Sequence, residues 1–311
     1  MIINTGMRTD IPAFYSEWFA NRLRAGYVLV RNPYNSKLVT RYSLSREVVD
    51  CIGFCTKNPA PMLPKMELLR GYGQYWFVTI TPYGRDIEPG VVDKHAVIDS
   101  FIALSKLLGK ECVGWRYDPI FVSKKYTMEY HLHAFKTIAQ SLAGYTDTCV
   151  ISFIDLYAKV RRNFPEVQEV PMEERLRLGK AMIDIAKAYG MVVKPCAEGD
   201  ELAPYGADCR GCMTVETYEK AVHAKINVPK NQGARKECAC YIAADIGAYN
   251  TCGHLCRYCY ANASRNEVIW NMHQHDPCSS LLTGHLEEGD VIHEAKQKSF
   301  KERQMTLFDQ V

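Results

Sequence analysis

No apolar run in this 311-residue sequence reaches the roughly 18 residues that a membrane-spanning helix needs, so no bilayer span is expected. The opening stretch, Met1-Ile-Ile-Asn-Thr-Gly-Met-Arg8, lacks the charged segment and apolar core of a secretory leader, and a cytoplasmic location is expected. Charge of one sign is scarce too. The balance of 38 Lys and Arg against 35 Asp and Glu leaves +3, too little to argue for a polyanionic partner by itself. Four common catalytic marks are also missing: a phosphate-binding GxxxxGK[ST] loop, GxGxxG after a strand, HExxH and GxSxG. Nucleoside-triphosphate and serine-hydrolase chemistry therefore have no support.

What the sequence does have is cysteine. Thirteen are present, four before residue 190 and nine between Cys196 and Cys278. In a reducing compartment these serve as core thiols, nucleophiles or metal ligands rather than disulfides. Their lopsided distribution divides the chain into residues 1–197 and a cysteine-rich region, 198–311, with different tasks.

The first region alternates helices and strands. Residues 93–108 place Val97, Phe101, Leu104 and Leu108 on one face. Residues 127–143 repeat this with Leu132, Phe135, Ala139 and Leu142, and 172–189 with Leu178, Met182, Ile185 and Tyr189. Gly109, Gly144 and Gly190 then stand where left-handed caps are wanted. Short apolar runs at 2–3, 48–54, 75–80, 112–115, 149–154 and 191–193 read as six strands buried on both faces, hence a parallel sheet. A doubly wound sheet is one solution; an open or partial (β/α)6 TIM-like barrel fits six regular units better.

In barrels the chemistry sits at the C-terminal ends of the strands. Here those ends carry Arg8 and Asp10, Lys57 and Asn58, Arg116 and Asp118, and finally Lys194 and Cys196. Asp and Asn also cap helices, but Arg116 and Lys57 do not. Arg116, Asp118 and Lys57 are read as catalytic candidates, and Arg8, Asp10 and Asn58 as cofactor-binding ones. Arg116 or Lys57 would meet a carboxylate or an anionic substrate, and Asp118 or Asp10 a ribose hydroxyl or a basic residue. Beyond Glu198 the periodicity fails, except for a helix near 215–224, and irregular backbone of this length calls for an external organiser such as a metal.

The sharpest motif is Cys252-Gly-His-Leu-Cys256-Arg-Tyr-Cys259. Thirteen scattered cysteines would give this spacing about 0.02 times per chain. Zinc sites usually fill four positions from paired ligands. Three thiols in one loop suit a [4Fe–4S] cluster that keeps one iron open. A second group, Cys196, Cys212, Cys238 and Cys240, with Cys209 as the substitute, could hold zinc or another cluster equally well. Cys51, Cys55, Cys112 and Cys149 are expected to be core residues on strands. His131 and His133 are expected at the surface of a helix, and His273 and His275 in a loop.

With Tyr258 before its last cysteine, CxxxCxxC resembles the motif of the radical S-adenosylmethionine superfamily, whose scaffold is a full or partial (β/α) barrel. The resemblance implies an enzyme in which the amino and carboxylate groups of S-adenosylmethionine chelate the open iron. An electron from a flavodoxin- or ferredoxin-type donor then releases a 5′-deoxyadenosyl radical, with Tyr258 near the cofactor. The motif usually follows the first strand of the barrel. Its C-terminal position here has a parallel in thiamin pyrimidine synthase, and requires the tail to fold back over the barrel mouth. Four further blocks, Arg8-Thr-Asp-Ile-Pro-Ala-Phe-Tyr15, Thr56-Lys-Asn-Pro59, Trp115-Arg-Tyr-Asp-Pro-Ile120 and Asp245 to Asn262, resemble an uncharacterised bacterial family with a cysteine-rich C-terminal region. That family is distantly similar to spore photoproduct lyase, which would make a nucleic-acid lesion or modified nucleotide the substrate. Gln304-Met-Thr-Leu-Phe308 is similar to the peptide with which bacterial repair proteins grip the sliding clamp. Two other readings are a zinc-stabilised barrel phosphoesterase and a non-catalytic zinc-ribbon protein that binds nucleic acid or a clamp. The first lacks histidine at every strand end; the second leaves the polar strand ends unexplained.

Overall fold

A computed structural model describes residues 1–229, 238, 240–241 and 244–302, so the Gln304–Phe308 peptide lies outside the described residues. The strands are β1 (Ile2–Asn4), β2 (Tyr27–Arg31), β3 (Leu38–Ser43), β4 (Cys51–Thr56), β5 (Gly73–Thr79), β6 (Val113–Ile120), β7 (Thr148–Phe153), β8 (Val192–Pro195), β9 (Ala244–Asp245) and β10 (Val291–Glu294). The helices are α1 (Ile11–Phe14), α2 (Ser16–Ala25), α3 (Lys94–Leu108), α4 (Met128–Leu142), α5 (Ala158–Asn163), α6 (Met172–Ala188), α7 (Val215–Val222) and α8 (Arg265–His273).

The fold is mixed α/β around a seven-stranded parallel sheet, ordered β8-β7-β6-β5-β4-β1-β9. The six expected strands are β1 and β4 to β8, each lying beside the next. From β1 through β4 to β8 the order runs in one direction, and β9 joins at the opposite edge from β8. β9 comes from the cysteine-rich region and pairs with the free edge of β1, Ala244 opposite Ile3. One sheet thus contains residues from both regions of the chain.

Alternation along the strands divides the core into two layers. Ile3, Ile52, Trp76, Val78, Trp115 and Ile151 face the helices, where they meet Phe101, Phe135 and Met182. Trp76 stacks on Phe54 with ring centroids 3.8 Å apart. Ile2, Cys51, Tyr75, Phe77 and Val150 face the other way and are covered by Met213, Tyr218 and Val222, in and just before α7. Gly109, Gly144 and Gly190 follow their helices with φ of 92°, 83° and 75°, a region that costs a side chain strain but not glycine.

Several expectations change. β2, β3 and β10 form a separate sheet, and its long-range β3–β10 pairing leaves no local sequence mark. Cys112 closes a short 3₁₀ turn before β6 rather than lying on a strand. His131 is fully buried, not superficial. Its ring bonds the Tyr117 hydroxyl at 2.9 Å and the Phe121 carbonyl at 2.8 Å, so a polar residue occupies the core face of α4. His273 is the last residue of α8, not part of a loop.

Candidate functional site

The cysteine loop at 252–259 returns to the C-terminal ends of β1, β4 and β5. Asp10, just past β1, caps α1 by accepting from Ala13 N at 3.0 Å. Its other oxygen accepts from Lys57 N at 2.7 Å and bonds His254 Nε2 at 2.8 Å. On the far side, Gly90 N donates to the His254 carbonyl at 2.9 Å and Arg257 N to the Ile87 carbonyl at 3.0 Å. A Cβ on Gly90 would lie 2.2 Å from the Gly253 carbonyl oxygen, so only glycine allows these two backbones to approach.

Glu88 lies at the centre of this junction and is 1% exposed. It accepts from Lys57 Nζ at 2.8 Å and Thr81 Oγ1 at 2.6 Å, and also from Lys94 Nζ and the Tyr258 hydroxyl. Burial opposes ionisation of this carboxyl, but the two ammonium groups outweigh it and hold its pKa at about 2. Burial likewise works against the Lys57 ammonium; Glu88, and then Cys256, turn its net shift upward.

Cys252, Cys256 and Cys259 share one electrostatic neighbourhood: Cys256 and Cys259 both raise the pKa of Cys252, and Cys259 raises that of Cys256. Burial is the main cause, and it pushes the Cys256 thiol up to about 12. Cys259 Sγ accepts from Ala261 N at 3.3 Å, a backbone bond of the kind that supports a liganding sulfur. Asn262 holds the Cys252 carbonyl through its Nδ2 at 2.9 Å, while its buried Oδ1 has no partner among the described residues. A cleft of about 460 Å³ beside Cys256 is bordered by Gly90, Asn262, Arg257 and Arg265.

The other expected residues sort differently. Arg8 donates to Asp245 Oδ1 at 3.0 Å, tying β1 to β9. The Asn58 side-chain Oδ1 accepts from Ala60 N at 3.3 Å, which makes it a local turn cap. Arg116 and Asp118 lie on β6 and engage each other at 2.5–3.2 Å. Arg116 Nη1 also reaches Cys212 Sγ at 3.6 Å. Cys212 Sγ is 3.6 Å from Cys196 Sγ and 3.3 Å from Cys240 Sγ. Cys238 influences Cys240 electrostatically, whereas the charged neighbours of Cys209 are Asp200, Asp208 and Glu201. Cys55 is half-buried and faces Arg116 and Cys212, unlike the fully buried Cys51 and Cys149. Among the described residues, no three His, Cys, Asp or Glu side chains converge on a point as a bound metal ion would require.

The sequence brings Asp10, Lys57, Tyr258 and the three loop cysteines together; it did not single out Glu88, Lys94, His254 or Asp245. Asp86-Ile-Glu88-Pro sits in irregular chain after β5, where no periodicity separates a buried acid from a solvated one. Position was the one usable signal for His254, which lies inside the cysteine motif. A family model described as a domain of unknown function, DUF1848, matches residues 2–261. No curated protein matches the chain.

Proposed function

The chain belongs to this DUF1848 family, and from its own residues we propose that it is a radical S-adenosylmethionine enzyme on an open six-unit (β/α) barrel. One observation carries the reading. A CxxxCxxC loop remote in sequence is docked, through Asp10–His254, Gly90–His254 and Glu88–Tyr258, onto the strand ends where barrel enzymes work. The unreversed order of β1 and β4 to β8 supports the barrel.

The residues fit a cluster. The buried Cys256 thiol with the half-buried Cys252 and Cys259, an N–H bond to Cys259 sulfur, a nearby ammonium and the unpartnered Asn262 oxygen make a site suited to an anionic group with its own polar edge. Cys252, Cys256 and Cys259 would hold a [4Fe–4S] centre with one iron open. With S-adenosylmethionine and one electron from a flavodoxin- or ferredoxin-type donor, that group would supply a 5′-deoxyadenosyl radical by breaking the sulfonium C–S bond, with methionine as the leaving group. The chain's own part is positioning. Lys57 offsets negative charge near Cys256, Glu88 fixes Lys57, Lys94 and the Tyr258 ring, and Asp10 holds His254 and hence the loop. Arg265 borders the cleft, where a carboxylate or phosphate would find countercharge, while Arg257 beside it is paired with Glu166. A nucleic-acid lesion or modified nucleotide is the proposed substrate class.

Protein purified without oxygen is expected to contain iron and acid-labile sulfide and to be brown. Cys256→Ala should lose that iron while keeping the far-ultraviolet circular dichroism of the parent. Colourless protein without iron would refute the proposal.

A further inference from the structure

The inner face of the sheet carries a second group of thiols, drawn from segments other than the 252–259 loop. Cys196 follows β8, Cys212 precedes α7, and Cys240 belongs to a separate segment whose next residue bonds back, Tyr241 N to the Met213 carbonyl at 2.9 Å. Three remote pieces of chain thus bring their sulfurs into contact. The backbone turns sharply beside two of them, with φ of 57° at Ala197 and 112° at Gly211.

The spacing discriminates between possible occupants. Tetrahedral zinc with Zn–S bonds of about 2.3 Å sets sulfurs about 3.8 Å apart. The observed 3.6 and 3.3 Å fall within a few tenths of that edge. Thiolates of a [4Fe–4S] cluster bind separate irons and stand farther apart, and a [2Fe–2S] cluster pairs only two thiolates on each iron, whereas Cys212 touches two other sulfurs. A disulfide needs about 2.05 Å. The sulfurs touch as collapsed thiols do, and a modest opening would admit one ion.

Two further observations point to a ligand. Tyr218 is fully buried in front of Cys51, Cys55, Cys212 and Cys240, and its hydroxyl has no hydrogen-bond partner among the described residues. An unpaired buried hydroxyl is destabilising, and a thiolate or metal-bound water would give it a partner. Met213 N donates to Cys240 Sγ at 3.3 Å, and Arg116 Nη1 stands 3.6 Å from Cys212 Sγ, ready to offset thiolate charge.

We propose that Cys196, Cys212 and Cys240 are ligands of a single zinc ion that pins the irregular C-terminal region to the inner face of the sheet. Cys209 takes no part. The inference is independent of the loop centre, so it is tested in a chain carrying Cys252→Ala, Cys256→Ala and Cys259→Ala. This chain is expected to retain one zinc per molecule. Adding Cys212→Ser should reduce zinc to background, and adding Cys209→Ser should leave it in place. Expression in cobalt-supplemented medium gives a readout that needs no variant in the triad: thiolate-to-cobalt charge transfer and the visible bands of a tetrahedral site. Several results would overturn the proposal: no zinc, zinc undiminished by Cys212→Ser, acid-labile sulfide in its place, absent cobalt bands, or a disulfide from Cys212 to Cys196 or Cys240.

Discussion

Glu88 shows how one side chain can organise a junction without belonging to any motif. Four donors from four places in the chain converge on its carboxylate. Glu88→Gln removes the countercharge of two largely buried ammonium groups and should destabilise the protein by about 3–5 kcal/mol in urea unfolding. Acid should act in the same direction. The folded carboxyl titrates at about 2, below its ordinary 4.5, so its contribution is complete above pH 4.5 and is lost as the pH falls toward 2. The stability of Glu88→Gln should depend less steeply on pH in that window; an unchanged slope would mean that other carboxylates control it. Residues at strand ends were legible because position alone marks them, as with Asp10 and Lys57. Glu88 and His131 were not, because burial decided by distant packing leaves no local pattern.

At the level of elements, the helices and the parallel strands were the readable part. Apolar spacing and terminal glycines place α3, α4 and α6 within a residue or two, though the buried face of α4 starts at His131 rather than Leu132. Trp76→Ala would empty the stacked contact with Phe54 and should cost about 3–5 kcal/mol. A loss below about 1 kcal/mol in chemical denaturation would show that this layer is loosely packed. The cysteine loop is an element of another kind, held by a few close contacts. Gly90→Ala should separate it from the strand ends, because the new methyl group collides with the Gly253 carbonyl. Limited proteolysis is expected to cut the variant within 250–263 while the sheet resists. Resistance equal to the parent would mean that the loop accommodates the methyl group.

For the whole molecule, the chain is closed by contacts between its ends. Asp50 accepts from the N-terminal ammonium at 2.7 Å and from Ser299 and Phe300 at 2.5 and 2.6 Å. β9 and β10 extend sheets begun by the first fifty residues. Such long-range pairings could not be read from sequence, since nothing local to Ala244 or Val291 names the partner strand. No helix among the described residues is long and apolar enough to cross a membrane. This closure sets three cysteines over the strand ends. The most direct measurement adds dithionite and S-adenosylmethionine to anaerobic, iron-loaded protein and follows 5′-deoxyadenosine by chromatography. 5′-Deoxyadenosine is expected to form, and Cys256→Ala should abolish its formation. Iron-loaded protein that leaves S-adenosylmethionine intact, or cleavage that survives Cys256→Ala, would contradict the proposed function.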